Sequence, residues 1–112
     1  MDAQLRALAD PRRRDIVRLV WGRELAAGDI AARFDVTRPA ISQHLAVLRQ
    51  AGLVHERRDG TRRLYRARPE RLAEVVRFLE TFWDERLALL KRAAEAEARE
   101  EQDRDDPSPP DR

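Results

Sequence analysis

Between Thr37 and Arg49 the chain sets Arg38, Ser42, Gln43 and Arg49 on one side of a helix, with Pro39, His44 and Ala46 beside them. Arg and Gln can each make bidentate hydrogen bonds to base edges, and Ser can bond bases or phosphates. The competing reading is the solvated side of an ordinary amphipathic helix. His44 could meet a phosphate, although a histidine beside a core residue is more often half-buried and satisfied by backbone. A second set, Arg57, Arg58, Arg62 and Arg63, flanks Asp59-Gly60. Four guanidiniums around a turn suit phosphates or a minor groove. They also suit a charged sheet edge that discourages unwanted pairing. Their sign and their place after the polar helix favour DNA. A third set, Arg12, Arg13 and Arg14, falls in the first turn of a helix, where cations oppose the dipole. It reads as a phosphate contact, a contact to another subunit, or a solvated basic turn.

These residues need positioning elements. Thr37 is a good N-cap, Pro39 fits a first turn, and Gly52 fits the left-handed residue that ends a helix. Ile41, Leu45 and Leu48 supply the buried stripe at i, i+4, i+7. Upstream, Asp2–Ala9 reads as a short helix with Leu5, Leu8 and Ala9 inward. Asp10-Pro11 opens a second helix to about Trp21, with Ile16, Val17, Val20 and Trp21 buried. Gly22-Arg23-Glu24 is a turn, and Ala26–Phe34 is a weakly started helix. Asp35-Val36 then connects tightly into the polar helix, so the pair forms a helix-turn-helix. Leu53–Arg58 and Arg62–Ala67 are strands joined at Asp59-Gly60, a hairpin in the position of a wing.

Pro69 opens a last helix running to about Arg99. Its band of Leu72, Val75, Val76, Leu79, Phe82, Trp83, Leu87 and Leu90, flanked by Phe78 and Leu89, is too broad for one small domain to cover. A homodimer built from the first and last helices is expected, with Leu5, Leu8, Leu79, Phe82, Trp83, Leu87 and Leu90 at the interface. Residues 1–99 are then a winged helix-turn-helix domain for DNA binding and dimerisation. The acidic, Pro-rich stretch 100–112 is expected to be disordered. The fold class is mainly α with a small β-hairpin, in the order α-α-α-α-β-β-α.

Composition narrows the function. Net charge is only +2, yet residues 1–68 hold fifteen Lys and Arg against eight Asp and Glu, and residues 69–112 hold eight against thirteen. A basic body implies an anionic partner, double-stranded DNA above all. With no cysteine there is no disulfide framework and no thiolate metal site. No apolar run is long enough for a membrane span, and Met1-Asp2-Ala3-Gln4 does not start a signal peptide, so a cytoplasmic protein is expected. Nothing pairs a nucleophile with a base, so an enzyme is not expected. A winged-helix module that docks another protein is the alternative. It would need apolar hot spots, and the outward face of 37–49 offers few.

Several segments resemble the ArsR/SmtB family of repressors: Ala7-Leu8-Ala9-Asp10-Pro11-Arg12-Arg13-Arg14, Asp29-Ile30-Ala31-Ala32-Arg33-Phe34, Arg38–Leu45, Leu48–Val54 and the wing Asp59–Tyr65. The resemblance covers about residues 3–92. It implies a homodimeric winged helix-turn-helix repressor on an imperfect palindrome, with terminal helices at the dimer interface. Metal-sensing members use cysteines near the recognition helix or Asp and His pairs on the last helix. This chain has no cysteine, and its histidines, His44 and His55, lie elsewhere. Asp84 and Glu85 alone do not make a zinc site. No metal, no cofactor and no thiol switch are therefore expected. The stretch Phe82–Leu87 resembles members without a known metal site, for which the effector is unknown.

Overall fold

The computed structural model describes residues 1–105. Helix α1 spans Asp2–Ala9 and stops at Asp10, whose extended backbone (φ −87°, ψ 125°) also begins α2, Pro11–Leu19. The Asp10 carboxylate accepts the backbone N–H of Arg12 at 2.7 Å and of Arg13 at 3.3 Å. Pro11 occupies a first-turn position that needs no donor. In α1 the fully buried residue is Ala7, with Leu5 and Leu8 half-buried; Ala9, expected inward, is exposed. In α2, Ile16 and Val17 are buried, as is Val20 at its end. The expectation for Trp21 fails. It lies beyond the helix end and is 50% exposed, because the chain tightens there and turns at Gly22 (φ 123°).

Leu25–Ala26 forms a short strand, β1, that the sequence reading missed. Helix α3, Ala27–Arg33, follows at once, and Ala26 gives it no side-chain cap. Its Ile30 is buried, and Ala27, Ala31 and Phe34 pack on the core. Helix α4 spans Arg38–Gln50, and the Thr37 hydroxyl accepts the Ala40 N–H at 3.3 Å. Its far end is a Schellman turn. Gly52 (φ 76°) donates to Arg49 O, and Leu53 donates to Leu48 O, both at 2.9 Å. Ile41, Leu45 and Leu48 meet Ile16, Ile30 and Leu53 in the core.

Strands β2 (Val54–Asp59) and β3 (Arg62–Ala67) pair antiparallel, and β1 adds to the other side of β3, giving the order β1-β3-β2. Asp59 pairs with Arg62, so the turn residues are Gly60-Thr61 and not Asp59-Gly60. Gly60 has φ 65° and Thr61 has no positive φ, the pattern of a II′ turn with Gly first. Tyr65 and Leu64 are both buried, so β3 does not alternate cleanly.

Helix α5 runs Pro69–Asp105. The described chain divides into two units, the first Met1–Val76 and the second from Arg77 onward. The first holds the core, to which α5 contributes Val75 and Leu72. The second is the rest of α5, exposed from Arg77 to Arg104. The expected end at Arg99 is corrected: residues 100–105 continue the helix, since Glu100, Glu101, Gln102 and Arg104 are sound helix formers. The rest of the expected disordered tail, 106–112, lies outside the described residues.

Candidate nucleic-acid interface

The first turns of α4 present Arg38, Pro39, Ser42 and Gln43 to solvent, with Thr37 at the cap. Arg49 is exposed in the last turn of the helix. The buried Ile41, Leu45 and Leu48 fix this orientation, because rotating α4 would pull all three out of the core. The Arg38 guanidinium lies over α3 at Gly28, 3.7 Å from where a Cβ would stand.

Between α4 and the wing lies a cleft of about 660 Å³, lined from α4 by Arg38, Ser42, Ala46 and Arg49 and from the wing by Thr61, Arg62 and Arg63. The sequence reading grouped the wing arginines together, but the structure separates their circumstances. Arg57 makes a two-point bond to Glu24 at 2.8 and 3.0 Å. This hydrogen bond holds the Glu24 carboxyl below its ordinary range. Arg62 lies 3.3 Å from Asp29. Arg63 and Arg49 both approach Glu56, at 3.6 and 3.4 Å. Arg58 alone of the four has no ion pair among the described residues, and it stands directly opposite Arg63 in the sheet register. Like charges facing across a strand pair disfavour it, and here Glu56 offsets the charge on Arg63. Glu24, Asp29 and Glu56 carried no sequence signal as partners. Arg57–Glu24 and Arg62–Asp29 each span 33 residues, beyond any local pattern.

His44 is half-buried rather than facing outward with Gln43. Its Nδ1 lies 3.4 Å from Arg13 Nη1. A guanidinium only donates, so in this contact Nδ1 is the accepting side. His55 is exposed on β2. The Arg12–Arg14 set is placed differently from the phosphate contact considered for it. Arg13 Nε donates to Ala7 O at 2.6 Å, and Arg14 Nη1 donates to Leu8 O at 2.8 Å and Ala9 O at 3.2 Å. Arg12 stacks over the Phe34 ring, 4.9 Å from its centroid.

The expected dimer residues fall into two groups. Leu5 and Leu8 already pack partly on their own core. Leu79, Phe82, Trp83, Leu87 and Leu90 are exposed on α5, with Phe82 and Trp83 each 56% accessible. Among the described residues no group of three or more His, Cys, Asp or Glu gathers where it could hold a metal ion. Nor is any helix there long and apolar enough to cross a membrane.

Residues 10–56 match the profile of the family described as bacterial regulatory protein, arsR family. The HTH-type transcriptional regulator Rv2034 of Mycobacterium tuberculosis is 46% identical over 82 residues, covering 73% of this chain and 77% of that protein. The transcriptional repressor SdpR of Bacillus subtilis is 42% identical over 60 residues, covering 54% and 67%. Among solved structures, a homodimeric winged helix-turn-helix DNA-binding domain from Mycobacterium bovis superposes with a TM-score of 0.61 at 33% identity, covering 75% of this chain and 78% of that one.

Proposed function

The chain belongs to the arsR family of bacterial regulatory proteins, and from that premise we propose that it is a transcriptional repressor that binds a palindromic operator as a homodimer. One observation carries the reading: an exposed, donor-rich face on a well-capped helix and a basic hairpin border the same cleft. Residues Thr37, Arg38, Pro39, Ser42 and Gln43 enter the major groove, where Arg38 and Gln43 read bases. Arg49 and His44 serve the flanking phosphates. The wing, Arg57, Arg58, Arg62 and Arg63, lies on backbone or in the minor groove. The SdpR relative is a repressor and the Mycobacterium bovis neighbour is a homodimeric DNA-binding domain, which supports the same reading here.

The test is fluorescence anisotropy of the full chain against its own upstream DNA and a mixed-sequence duplex over a salt series. Binding should be salt-steep and stronger on the cognate site. It should be indifferent to zinc and to a chelator, since the chain has no cysteine and no histidine on α5. Arg38→Ala or Gln43→Ala should cost about 1–3 kcal/mol on the cognate site and relax base preference. Arg58→Ala should weaken both duplexes alike and reduce the salt slope by about 1. Wing variants that bind like the parent at every salt concentration would remove the wing from the interface. A chain that binds no duplex would remove the function.

A further inference from the structure

Arg49 and Arg63 come from different elements, α4 and β3, yet share one carboxylate. Glu56 on β2 offers Oε2 to Arg49 Nε at 3.4 Å and Oε1 to Arg63 Nε at 3.6 Å. Register sets Glu56 opposite Tyr65 and Arg58 opposite Arg63, so these side chains share one face of the hairpin. The Glu56 side chain is only 19% exposed, although Arg49 and Arg63 are 51% and 56% exposed, whereas the Arg62–Asp29 pair is 59% exposed on both sides. With its carboxylate end covered, the Glu56 bridge is screened by salt less than the open pair. A carboxylate bridging two guanidiniums has the charge and the acceptor oxygens that a DNA phosphate would bring to the same place.

We infer that Glu56 is an internal counterion that competes with DNA phosphates for Arg49 and Arg63, weakening the contacts proposed for them, and so sets the strength and salt dependence of sequence-independent binding. The inference rests on the DNA-binding reading above. Sequence-independent affinity is almost wholly phosphate contact. An arginine shared with its own carboxylate neutralises a phosphate only in part, and one that leaves the carboxylate strands a largely covered charge. Arg38 and Gln43 have no such tie among the described residues. The bridge therefore damps the backbone contribution and leaves base reading intact, so more of the discrimination between duplexes comes from bases.

The test uses the full chain and a mixed-sequence duplex, with anisotropy read across salt. Glu56→Gln keeps the shape and removes the charge. It should bind tighter at low salt, with a slope steeper by about 0.9 for each arginine released. Asp59→Asn is the control. It removes the same charge from the same hairpin, but Asp59, though opposite Arg62 in the ladder, makes no ion pair with an arginine among the described residues, so its slope should match the parent. Glu56→Asp keeps the charge but is a methylene too short to span both guanidiniums. It should steepen the slope by about 0.9. Equal shifts in Glu56→Gln and Asp59→Asn would reduce the effect to local charge and overturn the inference. A Glu56→Asp chain identical to the parent would overturn it too. If the parent binds with a steep slope and Glu56→Gln merely matches it, the inference falls and the DNA-binding reading stands. If the parent binds no duplex, both fall together.

Discussion

At Asp10 the chain leaves α1 and begins α2, and the neighbouring side chains complete both ends. Asp10 accepts the N–H groups that open α2, while Arg13 and Arg14 donate to the last carbonyls of α1. Three cations at the start of a helix look misplaced when α2 is considered alone. Two of them sit at the negative end of α1, where the dipole and the unpaired carbonyls favour them. Burial pushes the Asp10 carboxyl up, but the Arg13 and Arg12 amides and the charge on Arg13 outweigh it, so the carboxyl settles below its ordinary value. A carboxyl depressed by folding stabilises the fold above its unfolded value and loses that contribution as pH falls through the folded one. The parent should therefore lose part of its stability below about pH 4. Asp10→Ala should already be less stable by about 0.5–2 kcal/mol at neutral pH, with a shallower further loss in acid. Urea unfolding at neutral and acid pH measures both. An equal acid loss in the two chains would mean that Asp10 contributes nothing through its charge.

The helices were legible in the sequence because each carries its own punctuation. Thr37, Pro39 and Gly52 bracket α4 to within a residue, and its stripe of Ile41, Leu45 and Leu48 is the buried one. The sheet was legible only in part. Strand β1 is two residues long and exists because Leu25 and Ala26 find Tyr65 and Leu64, a pairing no local pattern announces. The hairpin was located by its Asp-Gly, but the turn is shifted by one residue, since a II′ turn wants the glycine first. The carboxylates that hold the wing arginines are likewise set by tertiary contact. Gly52 bears on how α4 hands over to the wing: at φ 76° it makes the Schellman turn that leads into Leu53. A Cβ there would meet nothing within 4 Å, so replacement costs only backbone strain. Gly52→Ala should destabilise the fold by about 1–2 kcal/mol without changing it. Chemical denaturation at neutral pH reads the cost. An unchanged midpoint would mean that the helix end does not depend on a left-handed residue.

For the chain as a whole, charge and apolar surface are divided along the sequence. The positive surplus lies in residues 1–68, and the large exposed apolar side chains crowd onto α5. Beyond Val76, Phe78, Leu79, Phe82, Trp83, Leu87, Leu89 and Leu90 are between 44% and 62% accessible. A helix of 37 residues is about 55 Å long and has little stability of its own without packing along its length. Leu79, Phe82, Trp83, Leu87 and Leu90 recur at the spacing of one helical face, and a contiguous apolar surface of this kind marks an interface. The proposed occupant is the same face of a second copy, which would also bring two reading helices to one palindrome. Phe82→Glu places a charge in the middle of that seam. It should convert the protein to a monomer by sedimentation and leave the first unit folded, because Phe82 takes no part in the core of Met1–Val76. Affinity for a palindromic site should fall by about two orders of magnitude, the scale of losing a linked second contact, while affinity for a half-site changes little. A dimer that survives Phe82→Glu with its operator affinity intact would move the interface off this face of α5.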